Sequence, residues 1–262
     1  MKPNALIITG NGLNTEKEID YSLRTAGAQT KIATIYELLD NDVNLKDYHM
    51  LALCGGFSDG DDLGAGVATA KRLGKLDDEL REFYRRDTLI YDVCNGFQIA
   101  VKLGAFDDEN SQRDVTLTNN DAGFFYNGWV HLKVDPNSKC VFTRGLDNLY
   151  LPVRHGEGKF VGANDEAIER LRRNGQVVMR YVDDRGNVAT RFPDNPNGSI
   201  DGIAGICDKT GRIFGTMPHF EAFNHMTNHP QYTRLKRHFG RAADELEPDG
   251  IKLFRNMVGY FS

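Results

Sequence analysis

The residues best placed to do chemistry are a cysteine and, far downstream, a histidine two positions before a carboxylate: Cys94, His219 and Glu221. Cys94 lies in Leu89-Ile90-Tyr91-Asp92-Val93-Cys94-Asn95-Gly96-Phe97-Gln98, an apolar run followed by Phe97, Ala100 and Val101 at helical spacing, with Gly104 as the stop. That pattern predicts a buried strand, a sharp turn at the cysteine, and a helix. A side chain on such an elbow projects out of the sheet, and the neighbouring glycine lets the backbone bend and a substrate approach. Unpaired N–H groups and the macrodipole at a helix start favour an anion, the form in which sulfur is nucleophilic. A buried structural cysteine fits the same pattern, so the elbow alone does not decide.

The second segment decides more. Gly215-Thr216-Met217-Pro218-His219-Phe220-Glu221 follows a short apolar run at Arg212-Ile213-Phe214. In extended chain, residues i and i+2 share a face, so Glu221 can fix the tautomer of His219 while His219 addresses the thiol. Nucleophile, base and orienter are defined by spatial roles, and the long gap is no obstacle.

The elements that must position these residues are legible along the chain. Strands are expected at Ala5 to Thr9, Thr30 to Ile35 and Met50 to Cys54, and helices at Glu16 to Ala26, near Leu73 to Arg86, and at Arg241 to Met257. This alternation implies an α/β fold with an open, mostly parallel sheet flanked by helices. Ligands in such sheets bind at the carboxyl ends of strands, where both Gly55-Gly56 and Cys94 fall. From Val115 to Val182 the text changes to short strands divided by Asn127-Gly128, Asp135-Pro136-Asn137 and Asp183 to Asn187, which predicts an added antiparallel region.

With these segments in view the chain resembles the glutaminase subunit of phosphoribosylformylglycinamidine synthase, a class I (triad) glutamine amidotransferase. The resemblance rests on Gly55-Gly56-Phe57-Ser58-Asp59-Gly60-Asp61-Asp62-Leu63, Val93-Cys94-Asn95-Gly96-Phe97-Gln98, His155-Gly156-Glu157-Gly158-Lys159-Phe160, Asn195-Pro196-Asn197-Gly198-Ser199 and Met217-Pro218-His219. It implies a flavodoxin-like fold in one amidotransferase domain spanning residues 1–262. It implies catalytic roles for Cys94, His219 and Glu221, oxyanion donors in the backbone near Gly56, Phe57 and Asn95 after Gly55, and glutamine contacts from Gln98, His155, Gly156 and Glu157. The reaction implied is hydrolysis of L-glutamine through a cysteine thioester, with ammonia passed to a synthetase partner that makes formylglycinamidine ribonucleotide in purine biosynthesis. A small bridging subunit stays open.

Three departures stand out. The family reads His-Pro-Glu-Arg where this chain has His219-Phe220-Glu221-Ala222, which leaves the orientation of Glu221 open, and Gly10 to Asn14 and the residues after Phe223 do not match. Asn195 to Ser199 reads as a rigid surface loop. Three other readings remain: a triad amidotransferase serving a different synthetase, a cysteine hydrolase or peptidase of similar fold, and a non-catalytic module.

Composition bounds the alternatives. The chain has 262 residues and a net charge of -5, with no basic stripe, which argues against nucleic acid. No long uncharged stretch suggests a membrane span, and Met1-Lys2-Pro3-Asn4 runs straight into an expected strand, so a cytoplasmic protein is expected. The four cysteines are widely spaced, as for reduced thiols. No metal is expected: His225 and His229 lack further ligands, and Ala70 stands where a calcium loop at Asp59 to Asp62 needs its glutamate. No Walker-type loop occurs, so no cofactor is expected in this chain; ATP and magnesium are expected on the partner.

Overall fold

The computed structural model describes residues 2–107 and 113–262. Its first half alternates β1 (Asn4–Thr9), α1 (Glu16–Ala26), β2 (Gln29–Thr34), α2 (Ile35–Leu39), β3 (Met50–Leu53), α3 (Val67–Leu73), α4 (Asp77–Arg85), β4 (Leu89–Val93) and α5 (Asn95–Leu103). The second half adds β5 (Val115–Thr118), β6 (Tyr126–Val134), β7 (Asn148–His155), β8 (Lys159–Gly162), α6 (Asp165–Arg173), β9 (Val177–Val182), β10 (Ile203–Cys207) and β11 (Ile213–Thr216). It closes with α7 (Tyr232–Phe239), α8 (Ala242–Glu245) and α9 (Asp249–Gly259).

Nine strands form one sheet in the order β2-β1-β3-β4-β11-β10-β9-β6-β7, and β5 pairs with β8 separately. The β2-β1-β3-β4-β11 part is parallel throughout. Its inner strands β3, β4 and β11 are buried at every position, as expected of a sheet covered on both faces. From β11 outward the pairing turns antiparallel through β10, β9, β6 and β7. There β7 alternates buried and partly exposed residues, the pattern of a sheet with one wet face. Helix α1 packs on α9 and α3 packs on α5.

Several boundaries differ from the sequence expectation for local reasons. Ile35 opens α2 instead of ending β2, because the Thr34 hydroxyl caps Glu37 N–H and the Glu37 carboxylate returns to Thr34 N–H. The helix expected near Leu73 to Arg86 breaks into α3 and α4 around a tight turn at residues 74–76. The one expected from Arg241 splits at Pro248, which caps α9 with extended backbone. Asn127-Gly128 is no turn; it lies inside β6, opposite Arg154 and Val153.

Candidate active site

β4 delivers Cys94 to the carboxyl edge of the sheet. Its N–H donates to the Thr216 carbonyl at 2.8 Å, continuing the β4–β11 ladder by one bond, and the chain then turns sharply into α5. Cys94 has φ 52° and ψ -107°, a region that a residue with a β-carbon occupies only under strain. Gly96 makes the turn possible: a methyl group there would lie 2.1 Å from the Leu53 carbonyl oxygen. The sulfur is 5% exposed for its residue and its thiol reaches the Arg154 carbonyl at 3.6 Å.

β11, the neighbour of β4, delivers the histidine. A methyl group at Gly55 would sit 3.0 Å from His219 Cε1 and 3.3 Å from Cys94 Cβ, so thiol and imidazole converge over this glycine. His219 Nδ1 and Glu221 Oε1 are 2.6 Å apart, while Nε2 is buried with no hydrogen-bond partner among the described residues. Burial opposes a charge on His219, but the Glu221 carboxylate and Cys94 outweigh it and raise its pKa to about 9. Burial likewise opposes ionisation of Glu221, yet His219 and then Arg154 hold its carboxyl below the usual value. Glu221 Oε2 accepts from the Tyr91 hydroxyl at 2.9 Å, so both carboxylate oxygens are fixed.

The departures at positions 220 and 222 therefore leave the carboxylate held. Phe220 is fully buried against Phe214, and α9 presses on its backbone: a methyl group at Gly250 would lie 1.9 Å from the Phe220 carbonyl oxygen. Phe254 of α9 meets Tyr91 edge to face at 5.5 Å. The unmatched C-terminal segment thus wedges the histidine loop against the strand that carries the nucleophile.

The expected oxyanion donors fare unequally. Gly55 N–H donates to the Thr15 hydroxyl at 2.8 Å and Phe57 N–H to the Gly12 carbonyl at 2.8 Å, so neither is free for an oxyanion. Among the described residues no carbonyl or side chain engages the N–H groups of Gly56 and Asn95. Gly56 has φ 137°, and a methyl group there would lie 2.3 Å from the Gly12 carbonyl oxygen. The irregular segment after β1 explains this packing: Leu13 bridges Gly56 and Asn14 N–H donates to the Gly55 carbonyl. The sequence marks Gly12 only as part of the unmatched Gly10 to Asn14 segment and does not mark Thr15.

The remaining expected residues line a cleft of about 80 Å³ with Cys94: Gly56, Phe57, Gln98, His155, Gly156 and Glu157, joined by Asp61 and Arg154. Asn95 donates to Gln98 Oε1 at 2.9 Å and to Asp61 Oδ1 at 3.1 Å, and Gln98 Nε2 donates to the Glu157 carbonyl at 2.7 Å. Glu157 Oε2 accepts from Ala65 N–H at 3.2 Å. Burial raises the pKa of Asp61.

His155 is buried, and its ring is held by Asn120 Oδ1 at 3.1 Å on one side and Asn197 Nδ2 at 3.5 Å on the other. Burial and the nearby His219 depress its pKa to about 3. Its side chain is a prop for the loop that carries Gly156 and Glu157. Asn195, Asn197 and Ser199 are likewise buried, contrary to the surface loop expected: Asn197 donates to the Gly158 carbonyl at 2.8 Å and the Ser199 hydroxyl accepts from Phe160 N–H at 2.9 Å. This segment buttresses the loop from behind.

All four cysteines are unpaired and buried. His225 caps the short turn at residues 226–228, and His229 packs among Trp129, Tyr150 and Phe223. Among the described residues no group of three or more His, Cys, Asp or Glu side chains could hold a metal, and no helix is long and apolar enough to cross a membrane.

A strand-to-helix cysteine, an imidazole and a carboxylate at the edge of a parallel sheet define a triad amidotransferase arrangement, and comparison with known proteins agrees. Residues 2–261 match the CobB/CobQ-like glutamine amidotransferase domain, and the chain belongs to that family. Within it, the chain is 38% identical to phosphoribosylformylglycinamidine synthase subunit PurQ of Methanococcus maripaludis, over 99% of this chain and 98% of that protein. It is 40% identical to the same subunit of Dehalococcoides mccartyi, over 98% and 97% of the two chains. A chain of the solved structure of PurLQS from Thermotoga maritima superposes with a TM-score of 0.75 at 28% identity, covering 100% of both chains.

Proposed function

We propose that this chain hydrolyses L-glutamine as the glutaminase subunit of phosphoribosylformylglycinamidine synthase, in the cytoplasm, and hands ammonia to the synthetase subunit. The observation that carries the reading is the convergence of Cys94 and His219 over Gly55, with Glu221 fixed behind the imidazole. Cys94 attacks the side-chain carboxamide as the thiolate, its proton having passed to His219, and forms a C–S bond. The oxyanion is met by the N–H groups of Gly56 and Asn95. His219, with a pKa near 9, holds a proton at neutral pH and gives it to the departing ammonia as the C–N bond breaks. Now neutral, the imidazole takes a proton from water, which adds to the glutamyl thioester; the C–S bond breaks, glutamate leaves, and the thiolate and the protonated imidazole are restored. Nothing in this sequence needs a cofactor in this chain, and ATP and magnesium are assigned to the synthetase.

The test is Cys94→Ala in the reconstituted complex. Glutamine-dependent synthesis of the amidine falls by at least 10³-fold, while ammonia-dependent synthesis is retained. Persistence of glutamine-dependent turnover refutes the assignment. Recovery of a different ATP-dependent enzyme as the copurifying partner would redirect the ammonia to another product.

A further inference from the structure

Two carboxyl groups near the nucleophile are completely buried, and they fare differently. Asp92, two residues before Cys94 on β4, has no hydrogen-bond partner on either oxygen among the described residues, and burial pushes its carboxyl well up from the usual value. Glu221 is just as buried, and burial opposes its charge too, yet His219 and then Arg154 hold it below the usual value. Of these two cations only one is permanent. His219 gives its proton to the departing ammonia, whereas an arginine keeps its charge.

The free edge of β7 places Arg154 against the triad. Pro152 has no N–H, so Trp129–Pro152 is a non-hydrogen-bonded pair of the β6–β7 ladder, and Asn127–Arg154, two positions on, is another. The carbonyls of Pro152 and Arg154 therefore point away from β6. The first accepts from His219 N–H at 2.9 Å and the second from the Cys94 thiol at 3.6 Å, so one strand edge holds the imidazole loop and the sulfur together. Among the described residues the Arg154 guanidinium makes no ion pair within 4.0 Å, and its Nη2 is buried with no hydrogen-bond partner. Asp61 and Glu157, which share the cleft with Arg154, are engaged instead by Asn95 and by Ala65 N–H.

The charges then balance at each stage. With Cys94 as thiolate and His219 protonated, Glu221 leaves one negative charge in excess, which Arg154 cancels. In the glutamyl thioester the sulfur and the imidazole are both neutral, and Arg154 is the cation left to offset Glu221.

We propose that Arg154 is a positioning residue of the triad, the cation that keeps Glu221 ionised while the thioester stands and His219 is neutral. The inference rests on the glutaminase reading, and it bears on the second half-reaction. As His219 takes a proton from water its ring becomes positive, and an ionised Glu221 on Nδ1 stabilises that charge where a protonated one does not. The titratable groups facing Glu221 are Tyr91 of β4, Cys54 after β3, His219 of its own loop and Arg154 of β7, while α9 presents Phe254 to Tyr91. Burial pushes Tyr91 and Cys54 well up and keeps both neutral, so neither replaces Arg154.

The experiment is Arg154→Gln in the full chain with its synthetase subunit, followed by kinetics across pH and by acid-quench mass spectrometry. At pH 7 kcat for glutamine falls by at least about 10-fold with KM within about threefold, the acidic limb of the kcat profile moves up by about one pH unit, and glutamyl-Cys94 accumulates relative to wild type. Arg154→Lys, which keeps the charge, returns both limb and kcat toward wild type. Arg154→Met, long and uncharged, gives the same direction as Arg154→Gln if the latter melts early. Arg180→Gln removes a part-buried arginine that faces Asp135 and leaves the limb and the thioester level in place. A KM raised more than about 10-fold with the limb unmoved overturns the proposal and makes Arg154 a substrate contact. Equal losses in Arg154→Lys and Arg154→Gln with the limb unmoved overturn it as lost packing. Active wild-type chain beside an unaltered Arg154→Gln profile sinks this inference alone, and wild-type chain that forms no glutamyl-Cys94 sinks the glutaminase reading beneath it.

Discussion

The two halves of the sheet each bury a histidine against the same cleft, and the two imidazoles handle protons in opposite ways. His219, at the end of β11 in the parallel half, has a carboxylate on Nδ1 and the nucleophile nearby, and its pKa is raised to about 9. His155, at the end of β7 in the antiparallel half, has carboxamides on both ring nitrogens and is depressed to about 3. Both are almost fully buried, so burial does not distinguish them. The partner does: a carboxylate compensates the desolvated charge, whereas amides satisfy only the neutral ring. One histidine is built to carry a proton and the other to hold a loop.

The largest expected effect breaks the pair apart. His219→Asn lowers kcat for glutamine hydrolysis by about 10³-fold, the scale of a lost general acid and base. His155→Asn lowers kcat by less than about 10-fold and acts mainly on KM, since the substituted amide props the loop without titrating. Steady-state kinetics of both variants checks this, and equal losses in kcat would erase the distinction.

Next in size is Gly56→Ala, which forces a β-carbon at φ 137° into the Gly12 carbonyl. Displacing the Gly56 N–H costs about 10²-fold in kcat, as for loss of one oxyanion donor, with little change in KM. Tyr91→Phe is milder. It strips the hydroxyl from Glu221 Oε2, frees the carboxylate to rotate, and lowers kcat by about 10-fold. The alkaline limb of its pH profile moves from that of the wild type, which a purely structural change would not produce.

The smallest effect sharpens the contrast most. His219 in the unfolded chain titrates near 6.5 and in the folded chain near 9, so its contribution to stability is complete below pH 6.5 and is lost as pH rises toward 9. His155 titrates near 6.5 unfolded and near 3 folded, so its contribution is complete above pH 6.5 and is lost as pH falls toward 3. Denaturant unfolding across pH should show His155→Asn flattening the acidic slope while keeping the alkaline one, and Glu221→Gln flattening the alkaline slope, with a further change below about pH 4.5 because the Glu221 carboxyl is itself held below its usual value.

Which parts of this site the sequence disclosed follows from the range of the contacts. The Cys94 elbow and the His219–Glu221 pair are written in neighbouring residues, where period and spacing speak directly. Tyr91 reads as one more apolar strand residue, because its hydroxyl finds Glu221 130 positions away. Thr15, 40 positions from the Gly55 N–H it receives, opens a helix and looks like a cap. Asn197 sits in a segment rich in turn residues, and only the fold reveals that its amide is buried behind Gly158, 39 positions earlier. Polar residues that end up buried leave no trace in hydrophobic patterning. The same holds for α9, whose amphipathic text predicts a helix but not that it presses on the Phe220 backbone.

The most direct measurement is acid-quench mass spectrometry of the assembled enzyme turning over glutamine. The account predicts a glutamyl group on the peptide containing Cys94, absent from the Cys94→Ala protein, which releases no ammonia. A glutamyl adduct on any other residue, or undiminished ammonia release by Cys94→Ala, would contradict it.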